Sequence, residues 1–366
     1  MAKFTGKLGI VQRVLPRYRA PFFDLLAEHC TRGLSVFAGQ PRPNEGITSI
    51  SKLQKAEYHS AENRHILSGP LYACVQEGLI EWLEATDPDA LIVEANPRYL
   101  STPAAIDWMH ARQRPVLGWG LGAPNAGLVS RLLAGQRRRF LQQLDGMIAY
   151  SQRGAEEYRA AGIAAERVFV APNAVVPAPQ GPPPERKPFL YEGRGRLIYV
   201  GRLQRRKRLH DLFEAMAQLP DPLPDLVIVG DGPFRVQARE YAGFVYPQTI
   251  FTGPLFGDEL SACLLEADLF VLPGTGGLAV QQAMAHGLPV VVAEGDGTQD
   301  DLVTPENGWL VPPGNVAALA DTLTDALSSN RRLRDMGRES YRLVQEQLNL
   351  ETMAAAFVDA LKRVAL

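Results

Sequence analysis

The sequence predicts an α/β protein of two doubly wound domains that face each other across a cleft. In both halves of the chain, short apolar strands alternate with helices, which is typical of a parallel sheet covered by helices on both faces. Residues 177–188 separate the halves, and six of these twelve residues are proline, so we expect a stiff linker there. The predicted boundaries are 1–176 for the N-terminal domain, 189–345 for the C-terminal domain, and 346–366 for a last helix that could pack back on the N-terminal domain.

In the N-terminal half, apolar runs predict the strands, and helical spacing of apolar residues between them predicts the helices. The predicted strands cover residues 8–14, 34–38, 90–94, 116–119, 146–150 and 168–171. The predicted helices cover residues 22–30, 72–85, 103–113, 128–144 and 155–161. The polar stretch between the second strand and about residue 63 is predicted to be irregular.

The same alternation restarts after the linker. The predicted strands cover residues 197–200, 226–229, 249–252, 269–272 and 289–292. The predicted helices cover residues 209–218, 234–241, 259–266, a stretch beginning near 278, and residues 316–328, 331–347 and 351–364. Ligands of such sheets bind at the carboxyl ends of the strands, so we expect the deepest site between the two domains.

Composition excludes several classes of protein. The chain has 366 residues, of which 46% are hydrophobic and 21% charged, and this is ordinary globular material. The net charge of −2 gives no overall attraction to nucleic acid. The three cysteines, Cys30, Cys74 and Cys263, are far apart and odd in number, so we expect buried thiols of a reduced compartment rather than disulfides or a metal site. The N-terminus lacks the apolar core of a signal peptide and no run is long enough to span a bilayer, which predicts a cytoplasmic protein, with peripheral contact at the inner membrane face left open.

The most informative segment is 269–292, FVLPGTGGLAVQQAMAHGLPVVV from its second residue on. A strand runs into Pro-Gly-Thr-Gly-Gly, and a helix begins near Leu278. Glycines just before a helix expose backbone N–H groups beside the positive end of the helix dipole, which is an arrangement that binds phosphate. The segment therefore predicts a phosphorylated, nucleotide-linked ligand.

A basic segment after the first strand of the C-terminal half could serve the same anion. Arg202 follows Gly201 at the strand end, and Lys207 lies five residues on, near a helix start. Two cations there could clamp the phosphate from the other side. The alternative is a solvated basic helix start, which we expect for the neighbouring arginines Arg205, Arg206 and Arg208. The following motif, VGDGP at residues 229–233, is predicted to be mainly structural.

These motifs together resemble a known family. VGRL with its downstream lysine, VGDGP, FTGPL, ADLFVLP, GGLAVQQAMAHGLPVVV and NGWLVPPGN occur in the order found in the retaining glycosyltransferases of family 4. The resemblance is close over residues 197–342 and looser in the first half. It implies the GT-B fold, with two Rossmann-like domains, and transfer of a sugar, with retention, from a nucleotide-diphosphate donor to a hydroxyl of a glycan, lipid-linked or small-molecule acceptor. We expect no metal or other cofactor and, from the net charge of −2, no nucleic-acid partner.

The resemblance also implies roles for individual residues on the donor side. Arg202 and Lys207 would hold the diphosphate and support catalysis. The donor-binding positions would be Gly201, Gly274, Thr275, Gly276, Gly277, Leu278 and Gln282. Two glutamates usual in this loop are replaced here by Gly274 and Gln282, of which only the glutamine can still bond ribose hydroxyls. The nearby carboxylates Asp300 and Asp301 could be recruited instead.

Candidates in the N-terminal half follow strand ends. Glu94 is a catalytic candidate, and its alternative is a structural hydrogen-bond partner. Asn96 and Arg98 follow on the same loop as acceptor or sugar contacts. Many family members have a histidine just after the strand that matches residues 116–119, and this chain has none there. Trp119, at the end of that strand, is either a platform for a sugar or a core aromatic.

Two basic segments complete the predictions for the N-terminal half. Arg17 and Arg19, after the first strand, could bind an acidic acceptor or the donor phosphates, unless the loop serves only to anchor the helix that follows. Residues 130–143, with Arg131 and Arg137–Arg139 beside Leu128, Leu132, Leu133 and Phe140, form a basic amphipathic helix that either rests on anionic lipid or has a solvated face.

Two rival functions remain open. Loss of both loop glutamates could leave a non-catalytic nucleotide-sugar-binding or scaffold protein of the same fold. A sugar-nucleotide epimerase of similar shape would need acid–base carboxylates and histidines in its cleft, whereas His210 and His286 lie on predicted helices without a pattern that marks a site.

Overall fold

The computed structural model describes residues 3–43, 45–69, 72–123, 134–186 and 195–364. The chain divides into two compact units. Unit 1 comprises Met1–Val175 and Leu350–Leu366, and unit 2 comprises Val176–Asn349. The last helix therefore belongs to the same unit as the N-terminal half, and the unit boundary falls just before the proline-rich segment.

Unit 1 is built on a parallel sheet. Its strands in the described residues are β1 (Leu8–Val14), β2 (Leu34–Gly39), β3 (Glu57–Ser60), β6 (Ala90–Glu94), β7 (Val116–Gly120), β8 (Gly146–Ala149) and β9 (Val168–Val170). They pair in the order β3-β2-β1-β6-β7-β8-β9, so the chain moves outward from β1 in both directions. Most of β1, β2, β6 and β8 is buried, as expected for strands covered on both faces.

Helices cover the two faces of this sheet. They are α1 (Ala20–Glu28), α2 (Leu79–Thr86), α3 (Thr102–His110), α4 (Ala134–Gln142), α5 (Gln152–Ala160) and α12 (Leu350–Val364). One core cluster joins α1 and α12 to one face, and another joins α2, α3, α4 and α5 to the other. The start of the predicted helix 128–144 lies outside the described residues.

The stretch between β2 and α2 differs from the sequence prediction. Residues predicted as irregular contain β3 and the start of β4 (Glu62–Ile66). The predicted helix 72–85 begins instead as a strand, β5 (Ala73–Glu77), which pairs antiparallel with β4. Alternate residues of β5 are buried, and Gly78, in the left-handed region at φ 79°, separates the strand from α2. The prediction failed because a polar hairpin has no long apolar run to identify it.

Unit 2 holds a second parallel sheet. Its strands are β10 (Arg196–Val200), β11 (Asp225–Val229), β12 (Thr249–Gly253), β13 (Leu269–Leu272), β14 (Val290–Ala293) and β15 (Gly308–Val311), in the order β12-β11-β10-β13-β14-β15. The strand β15 was not predicted. The helices are α6 (Leu209–Met216), α7 (Arg235–Val245), α8 (Gly257–Glu266), α9 (Leu278–Ala285), α10 (Val316–Leu327) and α11 (Asn330–Glu346). A single core cluster includes buried residues of β10, β11, β13, β14 and β15, and the partly buried Phe251 of β12 packs against it.

The described part of the proline-rich segment is attached to unit 2. The Tyr341 hydroxyl on α11 donates to the carbonyls of Gln180 and Gly181. The guanidinium of Arg186 donates to the carbonyl oxygens of Leu264, Leu265, Ala267 and His286, which lie at or just beyond the C-terminal ends of α8 and α9. The segment up to residue 186 is thus part of the surface of unit 2 rather than a free connection.

Candidate functional site

The predicted anion loop lies where the strand order of unit 2 reverses. The chain leaves β10 toward β11 and β12 on one side, and returns to the other side of β10 with β13. The loops after β10 and β13 therefore diverge from neighbouring strands at the same edge of the sheet. Doubly wound sheets bind their ligands at this kind of switch point.

Three contacts join these two loops. The Lys207 ammonium donates to the carbonyl oxygen of Thr275. The Arg206 guanidinium donates to the Thr275 hydroxyl at 3.0 Å, and the Thr275 N–H donates to the Arg206 carbonyl at 3.3 Å. The sequence predicts that Lys207 lies beside this loop, but it also predicts that Arg206 is solvated. Arg206 is exposed and also contacts the predicted anion loop, so it becomes a further candidate anion ligand.

Gly274 is required by this close approach. A Cβ atom added to it would overlap the Arg206 carbonyl oxygen and lie 2.7 Å from the Lys207 carbonyl carbon. A side chain at this position would therefore force the two loops apart. Gly276, at φ 150°, has a backbone conformation that other residues rarely adopt, and an added Cβ would displace Lys207 Nζ, which would lie 2.5 Å away.

The loop leads directly into helix α9, whose N-cap is Gly277. Within the described parts of the chain, the N–H groups of Gly276, Gly277, Leu278 and Ala279 meet no acceptor. The first N–H groups of a helix have no partner inside the helix, and they carry the positive end of its dipole. The loop can therefore donate several hydrogen bonds to one anion.

Lys207 is the buried cation of this loop, with 9% of its surface exposed. Burial, with repulsion from Arg206 as a smaller cause, lowers the pKa of Lys207 from 10.5 to about 8. A desolvated ammonium beside unpaired N–H groups attracts an anion more strongly than one in water does.

Arg202 and the VGDGP motif lie beside the first loop. Arg202 is half-buried, and its carbonyl accepts from the Tyr199 hydroxyl at 3.3 Å. The Leu203 N–H donates to the Asp231 carbonyl at 2.9 Å, and a Cβ added to Gly232 would lie 2.8 Å from Leu203 N. The glycines of the motif thus allow two backbones to meet, in agreement with the structural role predicted for it.

The other donor-side candidates are arranged less clearly. Gln282 lies half-buried on α9, and its backbone carbonyl accepts from His286 Nδ1 at 2.7 Å. Asp300 is exposed and Asp301 is half-buried on the segment after β14. Sequence reasoning missed Gln299 on this segment, which is fully buried and donates from Nε2 to the Gly276 carbonyl at 2.8 Å.

In unit 1, Glu94 ends β6. Its Oε2 accepts from the backbone N–H of Arg13 at 2.6 Å. Burial raises the pKa of Glu94 to about 7, although this hydrogen bond acts in the opposite direction. The group is thus a structural acceptor and, with its perturbed pKa, a candidate proton acceptor as well. On the same loop, Asn96 Oδ1 accepts from the backbone N–H of Arg98 at 3.2 Å. The side chain of Arg98 is exposed.

Trp119 lies in the core, so its prediction as a sugar platform is wrong. The side chain is 1% exposed and packs against Phe22, Tyr150 and Phe357, with ring centroids 5.8, 5.4 and 5.0 Å away. Phe357 belongs to the C-terminal helix, and its contribution could not be foreseen from the strand alone.

Arg19 is also part of the unit rather than a free ligand contact. It is buried, donates to the Asn173 side chain and to the Ala174 carbonyl, and lies 5.1 Å from the centre of the Trp119 ring. Arg17 is exposed, and its backbone N–H donates to the Thr48 carbonyl at 2.9 Å. Of the two arginines, Arg17 keeps a side chain that a ligand can reach.

The basic helix predicted over 130–143 is described from Ala134 on, as α4. Phe140 and Leu141 are buried, whereas Arg138 and Arg139 are exposed. Arg131, Leu128, Leu132 and Leu133 lie outside the described residues. Among the helices of the described residues, none is both long and apolar enough to cross a bilayer.

Comparison with known proteins finds similarity to glycosyltransferases. Residues 184–343 match the family model of the glycosyl transferases group 1. The chain is 35% identical over 150 residues to the sulfoquinovosyl transferase SQD2 of Arabidopsis thaliana, which covers 39% of this chain and 28% of that protein. It is 29% identical over 299 residues to a phosphatidyl-myo-inositol mannosyltransferase of Mycobacterium leprae, which covers 80% of this chain and 76% of that protein. The chain spans less than half the length of the first curated relatives it matches.

The fold is similar over almost the whole chain to that of a solved structure, Anabaena HepE in complex with UDP. The TM-score is 0.71 at 16% identity, covering 97% of this chain and 99% of the other. The fold is GT-B. The prediction of two Rossmann-like domains is thereby confirmed, and the predicted anion loop lies in the unit that also matches the family model.

Proposed function

We propose that the protein is a glycosyltransferase that moves a hexose or related sugar from a nucleotide-diphosphate donor to a hydroxyl acceptor. The observation that carries this proposal is the loop pair around Thr275. Two backbones are hydrogen-bonded to each other, a lysine is buried beside them, and the N–H groups at a helix start meet no acceptor among the described residues. These groups suit the diphosphate of a nucleotide sugar. The match of residues 184–343 to the glycosyl transferases group 1 supports it.

Such a site supplies what the reaction needs most. Cleavage of the bond between the sugar and the diphosphate leaves negative charge on the departing diphosphate, while the sugar becomes oxocarbenium-like. Fixed donors aimed at the developing charge lower this barrier without reorganising. Lys207 and the N–H groups of Gly276 and Gly277 are proposed for this role, with Arg202 and Arg206 as further cations.

The finer assignment rests on motif resemblance. We assign the chain to family 4 and expect retention of the anomeric configuration. Gly274 cannot carry the carboxylate usual there, so backbone groups of the loop would contact the sugar instead. Glu94 of unit 1 is proposed as an acceptor-side catalytic residue, with Asn96, Arg98 and Arg17 as further acceptor-side candidates.

Similar proteins suggest the class of substrates. The relatives include a sulfoquinovosyl transferase and a phosphatidyl-myo-inositol mannosyltransferase, and HepE was solved with UDP. We propose a nucleotide sugar as donor and a glycan, lipid-linked or small-molecule acceptor, without a metal. The proposed place of action is the cytoplasm, with the basic face of α4 as a contact to an anionic membrane surface.

The deciding experiment is a binding panel by calorimetry. UDP, GDP, ADP and dTDP, alone and as sugar conjugates, are titrated into the wild-type chain, Lys207→Met and Arg202→Ala. We expect one base to bind best and both variants to lose at least about tenfold in affinity. Arg205→Met is the matched control, since Arg205 is an exposed cation on the same turn. Absence of binding to every nucleotide would overturn the proposal.

A second function is favoured by one observation. Gly274 and Gln282 stand where a catalytic family member usually has carboxylates, which suits a nucleotide-sugar-binding or scaffold protein. An active transferase should slowly hydrolyse the bound donor, whereas a scaffold should not. The release of free sugar measures this hydrolysis. The epimerase alternative gains no support, since His210 packs against the rings of Phe234 and Tyr241, with centroids 4.9 and 4.1 Å away.

A further inference from the structure

We propose that Gln299 is a positioning residue for donor binding, which fixes the peptide between Gly276 and Gly277 so that its N–H faces the diphosphate. This inference rests on the proposed function. It adds a residue from a different loop, the segment after β14, to a site otherwise built from the loops after β10 and β13.

The position of Gln299 leaves its amide little freedom. The side chain is fully buried, and Nε2 donates to the Gly276 carbonyl at 2.8 Å. The amide also lies directly over Gly295, where an added Cβ would come within 2.9 Å of Oε1 and 3.2 Å of Nε2. Gly295 therefore provides the space in which this side chain is held.

The hydrogen bond acts on the loop through peptide geometry. In a trans peptide, the C=O of one residue and the N–H of the next point in opposite directions. When Gln299 holds the Gly276 carbonyl, the N–H of Gly277 must point away from Gln299. This N–H is at the N-cap of α9 and meets no acceptor in the described part of the chain. The Gln299 amide thus sets the direction of one of the N–H groups proposed to bind the diphosphate.

Lys207 acts on the preceding peptide in the same way. Its ammonium holds the Thr275 carbonyl, and this fixes the direction of the Gly276 N–H. Two consecutive peptides of a glycine-containing loop are therefore each held at their carbonyl by a buried side chain. Glycines would otherwise allow these peptides to rotate, since they lack the steric restriction of a Cβ.

The other end of the amide argues that Gln299 does not serve stability alone. Its Oε1 is buried and has no hydrogen-bond partner among the described residues. A buried acceptor without a partner is costly, and an apolar side chain of similar size would avoid this cost. Stability alone therefore does not explain a glutamine at this position.

The test separates positioning from simple support. Gln299→Met keeps the size of the side chain but removes both the Nε2 donor and the unpaired Oε1. We expect the dissociation constant for the best-binding nucleoside diphosphate to rise about tenfold, as for the loss of one well-placed hydrogen bond. The melting temperature of the ligand-free variant should stay unchanged or rise. The matched control is Gln248→Met, which removes another glutamine Nε2 bond to a backbone carbonyl in unit 2, that of Pro224, and should leave affinity unchanged.

A second variant keeps the inference testable if the methionine is poorly tolerated. Gln299→Glu places a carboxylate against the Gly276 carbonyl, so binding should be weak at about pH 8, where the carboxylate is ionised. On acidification the protonated carboxyl can donate to that carbonyl, and affinity relative to wild type at the same pH should recover. Absence of this recovery would contradict the positioning role.

Each outcome has a distinct meaning. If wild type binds no nucleoside diphosphate, the proposed function fails, and this inference fails with it. If wild type binds and Gln299→Met binds equally well, only the positioning role is overturned. If affinity and melting temperature fall together in Gln299→Met, and Gln299→Glu shows no acid recovery, the residue is a structural strut and the inference is wrong.

Discussion

Lys207 and Thr275 are joined by a hydrogen bond from the lysine ammonium to the threonine carbonyl, across 68 residues of sequence. The bond links the loops that follow two neighbouring strands, and it buries the charge of the lysine. The cost of this burial appears as a pKa lowered to about 8. A bound anion would compensate for that cost, so the same contact that organises the loop also prepares it for a diphosphate.

The first prediction concerns the pH dependence of nucleotide binding. Above about pH 8 Lys207 loses its proton in the free protein, so the affinity for a nucleoside diphosphate should fall as pH rises through the pKa of this residue. Calorimetry in buffers of different ionisation enthalpy should show proton uptake on binding near pH 8. Lys207→Met should bind weakly and lose most of this pH dependence. An identical pH profile in wild type and variant would remove Lys207 from the site.

The same pKa predicts the stability of the ligand-free protein. Because the pKa of Lys207 is about 8 in the folded chain and 10.5 as the ordinary value, the unfolded state holds more protons between these pH values. Stability should therefore rise with pH from about 8 to 10.5 as far as this residue is concerned. The measurement is the unfolding free energy of wild type minus that of Lys207→Met, which should increase across that interval and stay constant well below it.

The next prediction tests the close approach at Gly274. Gly274→Ala should cost about 2 kcal/mol or more in stability, since its Cβ has no space between Arg206 and Lys207, and should weaken nucleotide binding as well. Gly243→Ala is the matched control, because Gly243 lies on α7 with nothing within 4 Å of an added Cβ. In the control, alanine should stabilise the helix by roughly 0.5 to 1 kcal/mol. Equal effects of both substitutions in chemical denaturation would contradict the packing seen at Gly274.

The sheets of both units could be predicted because their central strands are short, continuous apolar runs. Leu269–Leu272 is buried at every residue, which is the pattern that a parallel strand covered on both faces imposes. The hairpin of Glu62–Ile66 and Ala73–Glu77 could not be predicted in this way. Its first strand, ENRHI, has no buried residue, so it is held as a strand by its pairing rather than by its own side chains.

The site was predictable only where it is local in sequence. A glycine loop before a helix and a lysine after a strand are visible motifs, and the structure brings Thr275 and Lys207 together. The bond from Gln299 to Gly276 joins residues 23 positions apart on separate loops, so no spacing indicates it. From the sequence, Trp119 could equally have faced a ligand. It is buried because the fold brings Phe357, which is distant in sequence, against its ring.

Arg186 gives a prediction about the linker. It donates to four backbone carbonyls near the ends of α8 and α9, and burial lowers its pKa to about 10. Arg186→Met should leave these carbonyls without their donor and destabilise unit 2 by roughly 3 kcal/mol. Arg331→Met is the control, since the Arg331 side chain is 95% exposed and should change stability little. If Arg186→Met has the same melting temperature as wild type, the segment is not anchored to unit 2 by this residue.

Glu94 gives the last prediction. Its pKa of about 7, raised by burial, places its ionisation within the working range of an enzyme. If Glu94 takes the proton of the acceptor hydroxyl, kcat should rise with pH through a limb near this pKa, and Glu94→Gln should lower kcat by about 10² to 10⁴ and remove that limb. Glu81→Gln, at an exposed carboxylate on α2, is the control and should leave the profile unchanged.

A purely structural role of Glu94 gives a different result. In Glu94→Gln the new side chain could still accept from the Arg13 N–H through its amide oxygen, so activity would change little. In either case the raised pKa makes ionisation of Glu94 unfavourable in the folded chain, so wild type should lose stability relative to Glu94→Gln as pH rises from 4.5 to about 7. Because stability changes under both roles and the kcat limb under only one, measuring both on the same two proteins assigns Glu94 to catalysis or to the fold.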